Sequence, residues 1–394
     1  MFGRREAGGM SGGGLKALKD GDPARIGPYR LLARLGAGGM GQVYLGRSQG
    51  RRLVAVKVVH PHFADNASFR RRFAKEVAAA RRIGGFYTAQ VVDADPDAEP
   101  PWLVTEYIAG PTLQDAVDEN GALPEVTVAA LGAGLAEGLR AVHDQNVIHR
   151  DLKPGNVLLA QDGPRIIDFG IARAMDAASQ SLTLVGTPGY MSPEQFLGGA
   201  IGPPSDVFCL AAVLSFAVTG RHPFGEGPAD ALGYRVRHEE PDLTGVPASL
   251  HVLIAAGLEK DPDDRPPTAE FLDRCSALAA DEDMFLPKKF STMIATRVAE
   301  TEVFARTSGA GNSDAANATT EAANTGDAGA SGGKAGGGKA GAGEAGAGGA
   351  GAREGGAGQG GAGKAGGGKA GAGEADSGKA DAGKADAGKA DAGK

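Results

Sequence analysis

Disulfide-capable, membrane-spanning and strongly basic features are all scarce in this chain. Only two cysteines occur among 394 residues, Cys209 and Cys275, and no C-x-x-C spacing joins them. That excludes a disulfide framework, and leaves two core thiols in a reducing compartment, the cytoplasm. No apolar run reaches the ~18 residues of a membrane span. The best stretch, residues 207–218, is too short and reads as a buried core helix. Arg4 and Arg5 are followed by no apolar segment of the kind that a secretory signal needs. Cationic residues are not in excess: 41 Lys and Arg stand against 48 Asp and Glu, a net charge of −7. Nucleic acid is therefore not expected as the main partner.

Glycine, by contrast, is abundant at 65 residues, and the excess lies at the C-terminal end. From about residue 309 to 394 the chain is rich in Gly and Ala, with Lys379, Lys384, Lys389 and Lys394 in a regular repeat. No apolar set is present there to offset the entropy of ordering, so disorder is expected. Residues 1–25 are also Gly-rich and polar and are read as disordered. Residues 281–308 carry a weak helical stripe of Phe290, Met293, Ile294, Arg297, Val298, Thr301 and Phe304, either a docking helix or a linker. One folded domain, residues 26–280, remains between these segments.

The chemical centre of that domain is residues 147–159, where two apolar runs flank a short polar turn. Asp151 is a carboxylate able to accept a hydroxyl proton. Lys153 can neutralise charge on a transferring phosphoryl group. Asn156 offers a neutral oxygen to a hard cation such as Mg²⁺. Arg150 is a fixed cation suited to receiving a phosphate. The run His149–Arg150–Asp151–Leu152–Lys153–Pro154–Gly155–Asn156 resembles the H-R-D-x-x-x-x-N catalytic loop of the protein kinase superfamily, in the form of its Ser/Thr branch.

That resemblance implies further stations, and the residues fill them. Two apolar runs flank Gly36, Ala37, Gly38, Gly39, Met40 and Gly41, where glycines permit φ > 0 and close approach of backbone to a ligand. The strand-like residues Val43, Tyr44 and Leu45 follow, where a dinucleotide-binding fingerprint would require a helix. No G-x-x-x-x-G-K-[ST] follows, which disfavours a P-loop. Lys57 lies within a β-branched strand, a costly place for a cation without a partner. Phe69, Phe73, Val77 and Ala80 share one helical face, with Glu76 beside it. By resemblance this is the αC helix, with Glu76 the partner of Lys57. Lys57 would bind the nucleotide phosphates beneath the glycine loop, and Leu35, Val43, Ala55 and Leu158 would enclose adenine. Thr105 would be the gatekeeper, and Glu106 with Ile108 the hinge.

In the second half a helix is expected over residues 125–145. Asp168 ends an apolar strand, in the motif Asp168–Phe169–Gly170. The resemblance makes Asp168 and Asn156 the metal ligands, and has His149 pack on Phe169. Residues 177–185 hold Ser179, Ser181 and Thr183, candidate phosphosites in an activation segment, with Thr183 the main one. Thr187 would bond Asp151 and Lys153. Glu194 would pair with Arg265, and Asp206 would tie down the catalytic-loop backbone.

The expectation is thus an α+β, two-lobed protein kinase fold. A small antiparallel sheet with αC occupies residues 26–108 and a larger, mainly helical lobe residues 109–280, followed by a disordered tail. The expected activity is transfer of the ATP γ-phosphoryl group to Ser/Thr hydroxyls of proteins, its own activation loop included. ATP with Mg²⁺ or Mn²⁺ is the implied cofactor. Protein substrates, a phosphothreonine-binding partner and transient self-association are the implied partners. The alternative is a pseudokinase-type scaffold, which usually lacks an equivalent of Lys57, Asp151 or Asp168.

Overall fold

The computed structural model describes residues 14–64, 66–168, 187–279 and 286–310. Phe169, Ser179, Ser181, Thr183 and the Gly/Ala-rich segment from residue 311 lie outside the described residues.

The first lobe is a seven-stranded antiparallel sheet of β1 (Lys16–Ala17), β2 (Arg25–Ile26), β3 (Tyr29–Gly38), β4 (Gly41–Arg47), β5 (Leu53–Val59), β6 (Val91–Asp95) and β7 (Trp102–Glu106). The strands run β1-β3-β4-β5-β7-β6, with β2 also on β3. Alternation along β5 decides where the chemistry goes. Val54, Val56 and Val58 point into an apolar cluster with Tyr29, Tyr44 and Trp102. Ala55 and Lys57 therefore project from the opposite face. Lys57 stands across from Val43, and Ala55 from Leu45. Between β5 and β6 come α1 (Pro61–Ala64) and α2 (Ala67–Ala80). Asn66 caps α2, its side chain accepting from the N–H groups of Ser68 and Phe69 at 2.9 and 3.1 Å. Phe69, Phe73, Val77 and Ala80 are its buried face, as their spacing predicts, and the first three pack against Val59 and Leu103.

The expected boundary at Ile26 falls too late. Lys16 and Ala17 pair with Arg34 and Ala33 of β3. Asp22 accepts from Arg34 Nε at 2.6 Å and Tyr44 Oη at 2.8 Å. The Arg34 guanidinium holds the Asp22 carboxyl well below the usual carboxylate range. Two-residue strands have no period to detect, so a Gly-rich segment with real partners reads as disorder.

The second lobe comprises α3 (Leu113–Asn120), α4 (Glu125–His143), the hairpin β8 (Val157–Ala160) and β9 (Gly163–Ile166), α5 (Pro193–Leu197), α6 (Pro203–Thr219), α7 (Ala229–His238), α8 (Ala248–Gly257), α9 (Thr268–Ala279) and α10 (Lys288–Ala310). Its core is built on α4, whose Leu131, Leu135 and Leu139 join Leu210 and Leu214 of α6 and Phe271 of α9 in one fully buried cluster. Cys209 and Cys275 are buried in that cluster and form no disulfide. No helix among the described residues is long and apolar enough to cross a membrane. The lobes meet at Gly110, where a Cβ would stand 2.2 Å from the Leu159 carbonyl oxygen, so only glycine fits. Residues 288–310 form a 23-residue helix docked on this chain itself rather than a linker. Phe290 and Ile294 are each 1% exposed in the second lobe's core.

Candidate active site

The catalytic-loop stretch is held by one buried carboxylate. Asp206, fully enclosed in the first turn of α6, accepts from the backbone N–H of His149 through Oδ2 and of Arg150 through Oδ1, both at 2.8 Å. His143, at the end of α4, meets the same Oδ2 through Nε2 at 2.7 Å. These bonds hold Arg150 at φ 64°, a left-handed conformation that a residue of its size rarely takes. The His149 ring is fully buried, which pushes its pKa down. Its Nδ1 accepts from the Asp151 N–H at 3.3 Å, so Nε2 carries the proton and donates to the Ile167 carbonyl at 3.3 Å. A neutral imidazole is thus a strut between the loop and the strand that leads to Asp168.

Asn156, 2% exposed, turns its amide nitrogen to the Asp151 carbonyl at 2.8 Å and to Asp151 Oδ2 at 3.2 Å. This orientation directs the amide oxygen away from Asp151. The Asn156 carbonyl accepts from Ile167 N–H at 3.0 Å, which brings the loop beside Asp168. Lys153 Nζ is 3.4 Å from Asp151 Oδ2. Asp168 has φ 56°, and its Oδ1 lies 2.7 Å from Lys57 Nζ.

Lys57 and Asp168 face a cleft between the lobes. Leu35, Val43, Ala55, Thr105, Glu106, Ile108 and Leu158 line it as well. Gly36, Ala37, Gly38, Gly39, Met40, Gly41 and Glu76 are not among its walls. The Met40 side chain instead packs against the cluster of Val59, Phe69, Phe73, Val77 and Leu103. Gly38 and Gly41 do not use the left-handed conformations that glycine permits. A Cβ on Gly41 would come within 2.2 Å of the Val58 carbonyl oxygen, and that close approach is what requires glycine there. Gln42, which the motif does not single out, donates from Nε2 to the Gly36 carbonyl and braces the turn.

The expected Lys57–Glu76 pair is not formed, because Lys57 is taken by Asp168. Glu76 lies at the rim of the α2 apolar face, and its Oε2 is buried without a hydrogen-bond partner. Burial pushes its pKa up to about 7, against the opposing pull of Arg150, Arg72 and Lys75. A pH dependence follows. A folded-state value above the unfolded one means that Glu76 contributes stability fully below pH ~4.5 and loses it as pH rises through about 7. Glu76→Gln is therefore expected to match the wild-type Tm at pH 4.5 and to exceed it at pH 8. Equal Tm differences at the two pH values would contradict that environment for Glu76.

Thr187 caps the turn Pro188–Tyr190, its carbonyl accepting from the Tyr190 N–H at 3.0 Å, and Lys153 stands against Asp151. Glu194 and Arg265 do meet, through two bonds of 2.8 and 2.9 Å. Gln195, not anticipated, donates to the Arg150 carbonyl at 2.9 Å while its Oε1 accepts from the Ser192 N–H. The S-x-x-Q spacing of a capping box was the available signal.

Oxygen donors only, few of them from protein, suit Mg²⁺, which keeps waters and phosphate oxygens as its other ligands. Among the described residues no group of three or more His, Cys, Asp or Glu could hold a metal. Asp168 with the Asn156 amide oxygen is the donor set that fits, and the Lys57 ammonium already stands as a cation against Asp168.

The protein kinase domain profile matches residues 29–275, well over half of the chain. The chain is 54% identical over 267 residues to the probable serine/threonine-protein kinase PkwA of Thermomonospora curvata, covering 66% of this chain and 36% of the relative. It is 48% identical over 253 residues to the serine/threonine-protein kinase AfsK of Streptomyces coelicolor, covering 63% and 32%. The chain thus spans about a third of the length of these relatives. Among solved structures, the Mycobacterium tuberculosis PknI kinase domain is similar over 67% of this chain and all of that one, with a TM-score of 0.53 and 27% identity.

Proposed function

Since this chain belongs to the protein kinase domain family, we propose that it is a Ser/Thr protein kinase. It transfers the γ-phosphoryl group of ATP to Ser and Thr hydroxyls of proteins, its own activation segment included. The observation that carries this reading is the convergence of Lys57 and Asp168 in one cleft, with Asn156 of the Asp151–Asn156 loop bonded to Ile167, the residue before Asp168. Asp151 orients the incoming hydroxyl and accepts its proton as the oxygen attacks phosphorus and the bond to the β-phosphate oxygen breaks. Lys153 stands against Asp151, where negative charge gathers on the transferring group. Mg²⁺, held by Asp168 and Asn156, would neutralise phosphate charge. The gain is positioning and electrostatics rather than covalent chemistry. Glu106 gives its N–H to the Gln90 carbonyl at 2.9 Å, which leaves its carbonyl and the groups of Ile108 to meet an adenine edge.

The Lys57–Asp168 contact, with Glu76 Oε2 lacking a hydrogen-bond partner, is the resting arrangement in this reading. Swinging α2 so that Glu76 meets Lys57 would release Asp168 for the metal. Thr183, with Ser181 and Ser179, is the acceptor in the activation segment, and Arg150 is the receiver for its phosphate. Phosphorylation of that segment in trans requires transient self-association, and a phosphothreonine-binding protein is the class of partner that would read it. Two buried cysteines without a disulfide agree with a cytoplasmic setting.

Incubation with labelled ATP and Mg²⁺, followed by mapping of phosphosites, tests the reading. Label on serine and threonine is expected, with Thr183 prominent, and Thr183→Ala should remove most of the activity toward a second protein. Failure to consume ATP with a generic acceptor present would favour the scaffold alternative. Full activity in Thr183→Ala would overturn the assignment of that phosphosite alone.

A further inference from the structure

Helix α10 and the segment at Gly14–Leu15 lie outside the stretch matched by the kinase profile, yet both line the cleft that holds Lys57 and Asp168. With 23 residues, α10 is about 35 Å long, enough to cross from one lobe to the other. Its first turns are anchored in the second lobe. Phe290 and Ile294 are buried in the core, and Lys289 Nζ donates to the Asn120 carbonyl at 2.6 Å. Its last turns are anchored in the first lobe. Phe304 packs against Leu32, Ala33 and Leu45, and Arg47 donates to the Ala305 carbonyl. Between the anchors the helix passes the hinge. The Thr301 hydroxyl, 4% exposed, is 3.0 Å from the Tyr107 hydroxyl. Arg297, Glu300 and Thr301 face the cleft. Arg297 is shared between Glu119 at 3.3 Å and Glu300 at 3.5 Å, both carboxylates more than half exposed. Pairs of that kind contribute little, so the guanidinium can turn toward an anionic ligand at little cost.

We propose that α10 is a wall of the nucleotide site and a strap across the hinge. It ties the lobes together and slows nucleotide exchange, with Arg297 at the mouth adding affinity for the bound nucleotide. The proposal rests on the reading of this cleft as an ATP site. Its physical basis is that opening the lobes about the hinge must pull one anchored end of α10 from its apolar seat. Removing most of a seated phenylalanine side chain weakens such a closure by roughly tenfold or more.

The test is release of a fluorescent ADP analogue from the full chain with Mg²⁺ present. Phe304→Ala lifts the first-lobe anchor and is expected to speed release roughly tenfold. Arg297→Gln, whose side chain is 26% exposed and belongs to no core cluster, is expected to raise Kd severalfold with an unchanged Tm. Faster release in Phe304→Ala supports the strap, and a raised Kd in Arg297→Gln supports the contribution of Arg297 at the mouth. Unchanged release in both, with only a lower Tm for Phe304→Ala, would make α10 a packing element and overturn the proposal. Absence of saturable binding by the wild type would instead overturn the ATP-site reading on which it rests.

Discussion

Asp151→Asn is expected to lower phosphate transfer to a protein acceptor by about 10²–10⁴-fold, the range that a positioned general base contributes. The substitution is nearly isosteric and removes the carboxylate charge that faces Lys153 and the Asn156 amide. The main-chain carbonyl of Asp151 still receives Asn156 Nδ2, so the loop keeps its shape. Binding of the ADP analogue and Tm should therefore stay close to wild type while turnover collapses. That split separates a catalytic role from a structural one. Turnover within a fewfold of wild type would remove Asp151 from the chemistry, whatever else binds in the cleft.

What could be read from the sequence follows from where the information lies along the chain. Asp151, Lys153 and Asn156 sit within one short loop, and Asp168 follows the β8–β9 hairpin that comes directly after it, so a local word predicts their proximity. The buried stripe of α2 repeats at the helical period, and its residues are the ones that face β5 and β7. The partner of Lys57 is a different kind of fact. Lys57 meets Asp168 while Glu76 Oε2 has no hydrogen-bond partner, a choice between two carboxylates far apart in sequence that no local pattern encodes. The N-terminal strands and the seat of α10 were illegible for a third reason. Lys16–Ala17 is too short for any period, and Phe304 meets Leu32 and Leu45 only because the hinge brings the lobes together. The loop glycines show the limit of motif reading in another way. The motif marks Gly41, but the reason is contact with the Val58 carbonyl, not a left-handed turn.

The largest stability effect is expected at Arg265. Its side chain is fully enclosed, and that of Glu194 is 9% exposed. Beyond the two bonds to Glu194, the guanidinium donates to the carbonyls of Glu259, Lys260 and Pro204 at 2.8, 3.0 and 2.9 Å. Every N–H of the fork is used, and the plane also lies over the Phe208 ring. Arg265→Met would leave the carboxylate with Ser205 as its remaining side-chain donor and three carbonyls without their arginine. Breaking a buried pair in this way costs about 3–5 kcal/mol, visible as a lower urea midpoint at unchanged m-value. Combining it with Glu194→Leu should recover part of the loss, because the uncompensated charge goes with it. The pH dependence has a definite sign. Burial acts to raise the Glu194 pKa, but hydrogen bonds from Arg265 and Ser205 outweigh it and hold the carboxyl below its usual value. Its contribution is present above the unfolded pKa, near 4.5, and is lost as pH falls through the lowered folded value. The gap between wild type and Arg265→Met should therefore narrow as the solution is acidified below that point. A gap that stays constant from pH 7 down through the lowered folded pKa of Glu194 would mean that the ion pair is not what the arginine supplies. The carbonyl bonds and the packing on Phe208 would then account for the loss.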